Sequence, residues 1–387
     1  MLPMTWQNTN ARNEKIKFIG EWLKDEITFS DLCHKYRISR KTGYKLIRRY
    51  KSEGEKAVQE KSHTRHTHPN ATGASIKHRI IELKHIYPKW GPDKLRNWLQ
   101  RNAPDTCWPA VSTVGDILKK NGLVRARRYR KHVPAHSTPF LECDAPNSVW
   151  SADFKGQFRL GKNGVYCYPL TVSDNYSRFL LACEGLERPT LEATINCFKR
   201  IFIEYGLPDA IKTDNGQPFA SVGIGGLTRL SIWWLKLGII PERIEPGCPE
   251  QNGRHERMHR TLKDSTAKPS KENFKDQQKC FDDFKEEYNH QRSHQALDGK
   301  RPGDVYARSL RFMPNKLEEI YYPDNFEVRK VRTNGQIKCF GKKYFISELL
   351  RREPIGLEMI DEKKAIIYFS KAKLGMIDAK EDKIIRS

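Results

Sequence analysis

Long apolar runs are missing from this 387-residue chain: the greasiest stretch, Ser231 to Ile240, is short and is broken by Lys236. The start, Met1-Leu2-Pro3-Met4-Thr5-Trp6-Gln7, lacks the basic-then-apolar pattern of a secretory signal. There is no C-x-x-C pair, which disfavours a zinc ribbon or a thioredoxin-like motif, and nine cysteines, an odd number, do not make a fully paired disulfide framework. These absences lead us to expect a soluble, cytoplasmic protein with no membrane partner. Acids are also scarce at one end. Residues 1–140 hold 29 bases and 12 acids, residues 141–270 hold 16 and 15, and residues 271–387 hold 25 and 20. The net charge of +23 therefore sits mostly in the N-terminal part and points to a polyanionic partner.

The length suits roughly two to four domains with at least one sizeable core. Residues 1–51 read as three short helices: Ile16, Phe18, Ile19, Trp22 and Leu23 form one apolar stripe, Phe29 and Leu32 begin a second, and Ser39 caps a third. On that third helix Gly43, Ile47 and Tyr50 share a face, leaving Arg40, Lys41, Tyr44, Lys45 and Arg48 on the other, as in the recognition helix of a helix-turn-helix unit. A small helical bundle with a solvated basic face is the alternative; the six bases and no acid between Arg40 and Lys51 favour DNA. Residues 52–74 are a polar linker whose His63, His66 and His68 read as solvated, since no cysteines lie at zinc spacing. Residues 75–124 repeat the trihelical pattern, with Ser112 and Thr113 near the start of the last helix, where they can touch DNA. In the basic linker 125–146, Arg125, Arg127, Arg128 and Arg130 belong to a run of five bases in seven residues, placed to track phosphates.

From residue 147 the texture changes. Strands at 149–158 and 165–172 flank the turn Gly161-Lys162-Asn163-Gly164, Arg178 to Cys183 adds a third, Leu191 to Tyr205 is an amphipathic helix, and Ala210 to Thr213 is a short buried strand. This is a mixed α/β layout over residues 147–310. The cluster Val222-Gly223-Ile224-Gly225-Gly226 reads as a flexible loop; no Gly-Lys-Ser/Thr follows that would make it a phosphate cradle. Residues 320–387 alternate apolar and polar positions between glycines, which fits a small separate β-barrel.

Three acids stand out. The period of two in Val149 to Phe154 puts Trp150, Ala152 and Phe154 on one face and Ser151 and Asp153 on the other, and a carboxylate among apolar strand residues must be paired or metal-bound. Asp214 ends a buried strand just before Asn215-Gly216, where an ordinary turn or cap role is equally open. Glu256 shares a helix face with Arg260 and Lys263, so surface ion pairing explains it if it is taken alone. Taken together, carboxylates converging from separate elements can hold two hard divalent cations for phosphodiester displacement. Asp153 would bridge both, Asp214 and Glu256 would each hold one, and Arg254, Arg260 and Lys263 would hold the DNA backbone.

The succession Trp150-x-x-Asp153-Phe154-Lys155-Gly156, Thr213-Asp214-Asn215-Gly216 and Pro246-Gly247-x-Pro249-x-x-Asn252-Gly253-x-x-Glu256-Arg257-x-His259 resembles the DDE transposase and retroviral integrase superfamily. Tyr288-Asn289-x-x-Arg292-x-His294-Gln295-Ala296-Leu297 and Pro302-Gly303-Asp304-Val305-Tyr306 resemble the tail of the core in bacterial insertion-sequence transposases. The resemblance implies a ribonuclease-H-like core behind helix-turn-helix domains, Mg2+ or Mn2+ with two ions per site, and binding to terminal inverted repeats. It also implies DNA cleavage and strand transfer, and a homo-multimer on double-stranded DNA. It favours Glu256 over Glu250, because the family's acid follows its Asn-Gly pair by three residues. The zinc module of integrases is not recognisable, so no structural zinc is expected. A transposase-derived DNA-binding regulator with an inactive core is the alternative, against which the intact set of acids counts.

Overall fold

The computed structural model describes residues 11–59, 71–124, 143–162, 164–221, 223–244 and 253–386. The chain divides into two compact units, Met1–Thr72 and Gly73–Ser387.

In the first unit α1 (Ala11–Lys24), α2 (Phe29–Lys35) and α3 (Arg40–Glu53) close around Phe18, Ile19, Leu32, Cys33 and Ile47. Thr28 and Ser39 cap the second and third helices by accepting from the backbone N–H groups of Asp31 and Thr42. Gly43 is required by packing: a Cβ there would come within 2.8 Å of Cys33 Sγ. A 3-10 turn, Gly54–Val58, follows α3 and buries Ala57 and Val58 in the same bundle, although the stretch reads as linker by its polarity.

The second unit opens with α4 (Ala74–Ile86), α5 (Pro92–Asn102) and α6 (Val111–Lys120), packed through Ile80, Leu83, Trp90, Leu95, Leu99, Val114 and Leu118. Next come β1 (Val149–Phe154), β2 (Phe158–Arg159), β3 (Tyr166–Asp174) and β4 (Leu180–Leu186), then α7 (Leu191–Tyr205) and β5 (Ala210–Thr213). After them α8 (Arg229–Lys236), β6 (Ile240–Arg243), α9 (Gly253–Thr266) and α10 (Phe274–His290) complete the core. The sheet runs β2-β3-β1-β5-β6, with β4 on the outer side of β3. β1 pairs antiparallel with β3 and parallel with β5, and β5 pairs parallel with β6, so it is a mixed sheet of ribonuclease-H-like type.

Each face of the sheet has its own core. Trp150, Ala152, Leu170 and Val172 pack against Phe198, Phe202 and Trp234 of α7 and α8. On the other face Cys167, Leu180 and Cys183 pack against Met258 and Leu262 of α9 and Phe281, Phe284 and Tyr288 of α10. Asn289 pins the end of α10 to β4, accepting from Leu180 N at 2.8 Å and donating to Leu180 O at 2.9 Å. The α4–α6 bundle is seated on the same end of α10: Trp90 Nε1 donates to Glu287 at 2.8 Å, Tyr87 OH donates to Gln291, and Arg101 donates to the Gly299 carbonyl.

After a short helix, α11 (Pro302–Val305), the C-terminal strands are β7 (Phe326–Lys330), β8 (Gln336–Cys339), β9 (Lys342–Phe345), β10 (Pro354–Asp361), β11 (Lys364–Phe369), β12 (Ala372–Asp378) and β13 (Lys383–Arg386). The barrel expected for residues 320–387 is not closed in its pairing. Among the described residues the strands form an open antiparallel sheet, β13-β12-β11-β10-β7, and a separate β8-β9 ribbon. The inner face is covered instead by the core: Ile355, Leu357, Ile367, Phe369 and Leu374 share one cluster with Ile224, Leu227, Ile232 and Leu235. This also corrects the reading of the glycine cluster as a flexible loop. Gly225 and Gly226 adopt positive φ, Ile224 is buried, and Arg243 donates to the Gly225 carbonyl, so the described part of the loop is the seat on which the C-terminal sheet rests.

Candidate functional site

The register of the parallel pair β1–β5 aligns Ala152 with Thr213, so the next residue on each strand, Asp153 and Asp214, stands at the same sheet end on neighbouring strands. Alternation places Asp153 opposite Thr171 of β3, on the face covered by α9. Glu256 projects from the first turn of that helix and is exposed, while Asp153 and Asp214 are half-buried. Asp153 senses the other two acids. Burial, then the negative charge of Asp214 and, more weakly, that of Glu256, push the Asp153 carboxyl up to about 7.

Behind the acids lies a buried polar shelf. Thr171 Oγ1 donates its single proton to the Asp153 carbonyl at 3.1 Å, and it also lies 2.7 Å from His255 Nε2 and 2.6 Å from His259 Nε2. Both imidazoles must therefore donate to Thr171 from Nε2, an assignment forced by the hydrogen-bond network. His255 Nδ1 then accepts from Ser173 Oγ at 3.2 Å, and His259 Nδ1 turns its lone pair to Asp153 Oδ2 at 3.7 Å. Burial holds both rings neutral, with His255 pushed down to about 3 and His259 lower still.

The ligand atoms of Asp153, His255 and His259 lie within 4.8 Å of one another, a grouping that does not include Asp214 or Glu256. The shelf nevertheless makes a poor ligand set, because three of its four ring nitrogens are engaged by hydroxyls. The oxygen donors of Asp153, Asp214 and Glu256 suit a hard divalent cation better, and a cation there would relieve the repulsion that raises Asp153. Sequence reasoning passed over the shelf. Its signal was the i, i+4 spacing of His255 and His259 among Met258 and Leu262, on the apolar side of the helix.

The basic residues are distributed as follows. Arg254, Arg260 and Lys263 are exposed on α9 around Glu256. Ser112 is exposed and Thr113 half-buried in the first turn of α6. In the first unit Arg40, Lys41, Tyr44, Lys45 and Arg48 are all exposed on α3, with the Tyr44 ring stacked on Phe29 at 4.2 Å. Arg125, Arg127, Arg128 and Arg130 lie outside the described residues, as do Glu250 and the loop residues ahead of Gly253. No helix among the described residues is long and apolar enough to cross a membrane.

Comparison with known proteins agrees with this geometry. Residues 144–249 and 237–302 match integrase core domain families, residues 14–65 a helix-turn-helix domain, and residues 42–118 a homeodomain-like domain. A 39.2 kDa protein of insertion element IS476 from Xanthomonas euvesicatoria is 24% identical over 252 residues, 63% of this chain and 67% of the relative. A 31.7 kDa protein of insertion element IS407 from Burkholderia multivorans is 24% identical over 259 residues, covering 65% and 88%. Among solved structures, a chain of a simian T-cell lymphotropic virus intasome in complex with the PP2A regulatory subunit B56 gamma is 16% identical, with a TM-score of 0.37, covering 80% of this chain and 98% of that one. With integrase core domain matches over residues 144–302 and helix-turn-helix matches ahead of them, the chain is similar to the DDE transposase and integrase superfamily and to the proteins of bacterial insertion elements.

Proposed function

We propose that this chain is the transposase of an insertion sequence. It binds the terminal inverted repeats of its element and catalyses metal-dependent cleavage and strand transfer on double-stranded DNA, working as a homo-multimer that bridges two ends. The observation that carries this reading is the meeting of Asp153 and Asp214 on neighbouring parallel strands, with Glu256 near enough to act on the Asp153 carboxyl. In this reading residues 1–51 and 75–124 are helix-turn-helix domains joined by the linker 52–74. The basic linker 125–146 leads into the catalytic core 147–310, and residues 320–387 form the C-terminal domain.

Asp153, Asp214 and Glu256 are the residues that would hold Mg2+ or Mn2+, Asp153 shared between two ions and the other two acids holding one each. When bound, such ions supply activation of an attacking oxygen and stabilisation of a leaving oxygen in an in-line displacement. Everything else falls to the chain. Thr171, His255 and His259 clamp α9 to β3, so that Glu256 is held over the strand that carries Asp153. Because His259 is neutral and offers Asp153 only a lone pair, it adds no positive charge that would compete with a cation. Arg254, Arg260 and Lys263 would grip the backbone of the reacting strand, and the exposed bases and Tyr44 of α3 would read the element end.

The test is a strand-transfer assay with labelled duplexes from the DNA ends that flank the gene, run in Mg2+. Wild type is expected to join them to target DNA, and Asp153→Asn to bind the ends but not join them. Joining by Asp153→Asn overturns the assignment of the centre. Tight end binding with no joining by wild type replaces this reading with a regulator that has an inactive core.

A further inference from the structure

The end of α10 and the loop after it gather basic side chains from several elements. Arg292 and His294 follow α10, Lys94 comes from α5, Arg178 from the turn between β3 and β4, and Arg254 from the first turn of α9. His294 lies within electrostatic reach of Arg292, Lys94 and Arg178; Arg178 lies within reach of Arg254, and Arg254 within reach of Lys212 on β5. Burial and these neighbours hold the His294 imidazole neutral, and Tyr288 at the end of α10 lies within electrostatic reach of both Arg292 and Arg178. The basic side chains Lys94, Arg292, Arg178 and Arg254 therefore follow one another from the α4–α6 bundle to the helix that carries Glu256.

Among the described residues no ion pair within 4.0 Å involves Lys94, Arg178, Arg254 or Arg292. Acids lie near without closing such a pair: Asp93 and Glu287 act on Lys94, Glu287 on Arg292 and Asp174 on Arg178, while Arg178 donates to the Asn175 carbonyl at 2.6 Å. Arg292 Nε and His294 Nε2 are buried with no hydrogen-bond partner. Burial and the charge of Arg292 push the Lys94 ammonium down to about 8. Holding Lys94, Arg292 and Arg178 half-buried near one another is costly, and a phosphate bound there would offset that cost.

We propose that Lys94, Arg292, Arg178 and Arg254 form a phosphate track, which holds the backbone of one DNA strand on its way from the α4–α6 bundle to the acidic centre. The track rests on the reading of this chain as a DNA-processing protein and says where the substrate strand runs. Its recognition is of phosphate, so it carries no sequence preference. A purely structural role makes the opposite prediction for stability, because a structural cation destabilises the fold when it is removed, whereas an uncompensated one does not.

The experiment measures binding of a fluorescein-labelled duplex from the DNA flanking the gene to the full chain, by anisotropy, across a salt series in EDTA. Wild type, Lys94→Met and Lys94→Met/Arg292→Met are compared, and the melting temperature of each is recorded. The expected result is a log–log salt slope about 0.9 shallower for the single variant and about 1.8 shallower for the double, with melting temperatures at or above that of wild type. An unchanged slope in variants that melt like wild type overturns the track but leaves the proposed function standing. Variants that melt well below wild type overturn the track too, because they make these cations structural. Failure of wild type to bind the duplex at all counts against the underlying reading itself.

Discussion

Loading the acidic centre with Mg2+ should expel a proton, in an amount set by pH. The Asp153 carboxyl sits at about 7 because burial and the charge of Asp214 disfavour its ionised form. A cation must displace that proton. At pH 6 the metal-free carboxyl is about nine-tenths protonated and at pH 8 about one-tenth, so about 0.9 and about 0.1 proton should be released per site. The apparent metal affinity should fall about tenfold for each pH unit below the transition and level off above it. Isothermal titration calorimetry in two buffers of different ionisation enthalpy measures the release directly. Asp153→Asn, which has no proton to give, should show a flat and near-zero release across the range. Release at pH 6 that is close to zero in wild type, or undiminished in Asp153→Asn, would refute the placing of the cation on Asp153.

Three further outcomes follow from the same geometry. The folded pKa of Asp153 lies above the unfolded carboxylate value, so its contribution to stability is complete below about pH 4 and is lost as pH rises through 7; in EDTA at pH 8, Asp153→Asn should be more stable than wild type by on the order of 2 kcal/mol in denaturant melts. Thr171→Val keeps the volume but strands the Nε2 donors of His255 and His259, so it should cost about 2–4 kcal/mol by chemical denaturation, with Thr171→Ser recovering most of the loss. Gly206, at φ 81 where α7 ends, would bring a Cβ within 2.8 Å of the Ser309 and Arg311 carbonyls; Gly206→Ala should cost about 2 kcal/mol or more in the same measurement.

Elements whose own periodicity decides their form were legible in the sequence. The helix expected over Leu191 to Tyr205 and the strand over Ala210 to Thr213 occur with those limits, because Gly206 stops the first and the second is a short, nearly continuous buried run. Asp153 and Asp214 could be singled out because each is an acid at the margin of an apolar strand. Features made by non-local pairing were not legible. The C-terminal strands alternate as a barrel's would, yet their inner face is filled by Ile224, Leu227, Ile232 and Leu235 from far upstream, and no local pattern announces that. The seating of Tyr87 and Trp90 on Gln291 and Glu287 joins residues about two hundred positions apart through single polar contacts, which leave no periodic trace. His255 and His259 were visible as residues, but their role depends on Thr171, known only once β3 lies beside β1.

The acids come from β1, β5 and α9, and β1 meets β5 in a parallel pair formed across the intervening strands and α7. Such a centre assembles late during synthesis. While the ribosome is still upstream of α9, the basic N-terminal helices are already free to fold and to find DNA, but the third acid has not yet emerged. A polypeptide interrupted in this interval would occupy the same DNA without the complete set of carboxylates. Under the proposed function, premature termination would then yield a competitor of the finished protein, one that binds the DNA but lacks the acid needed to cut it.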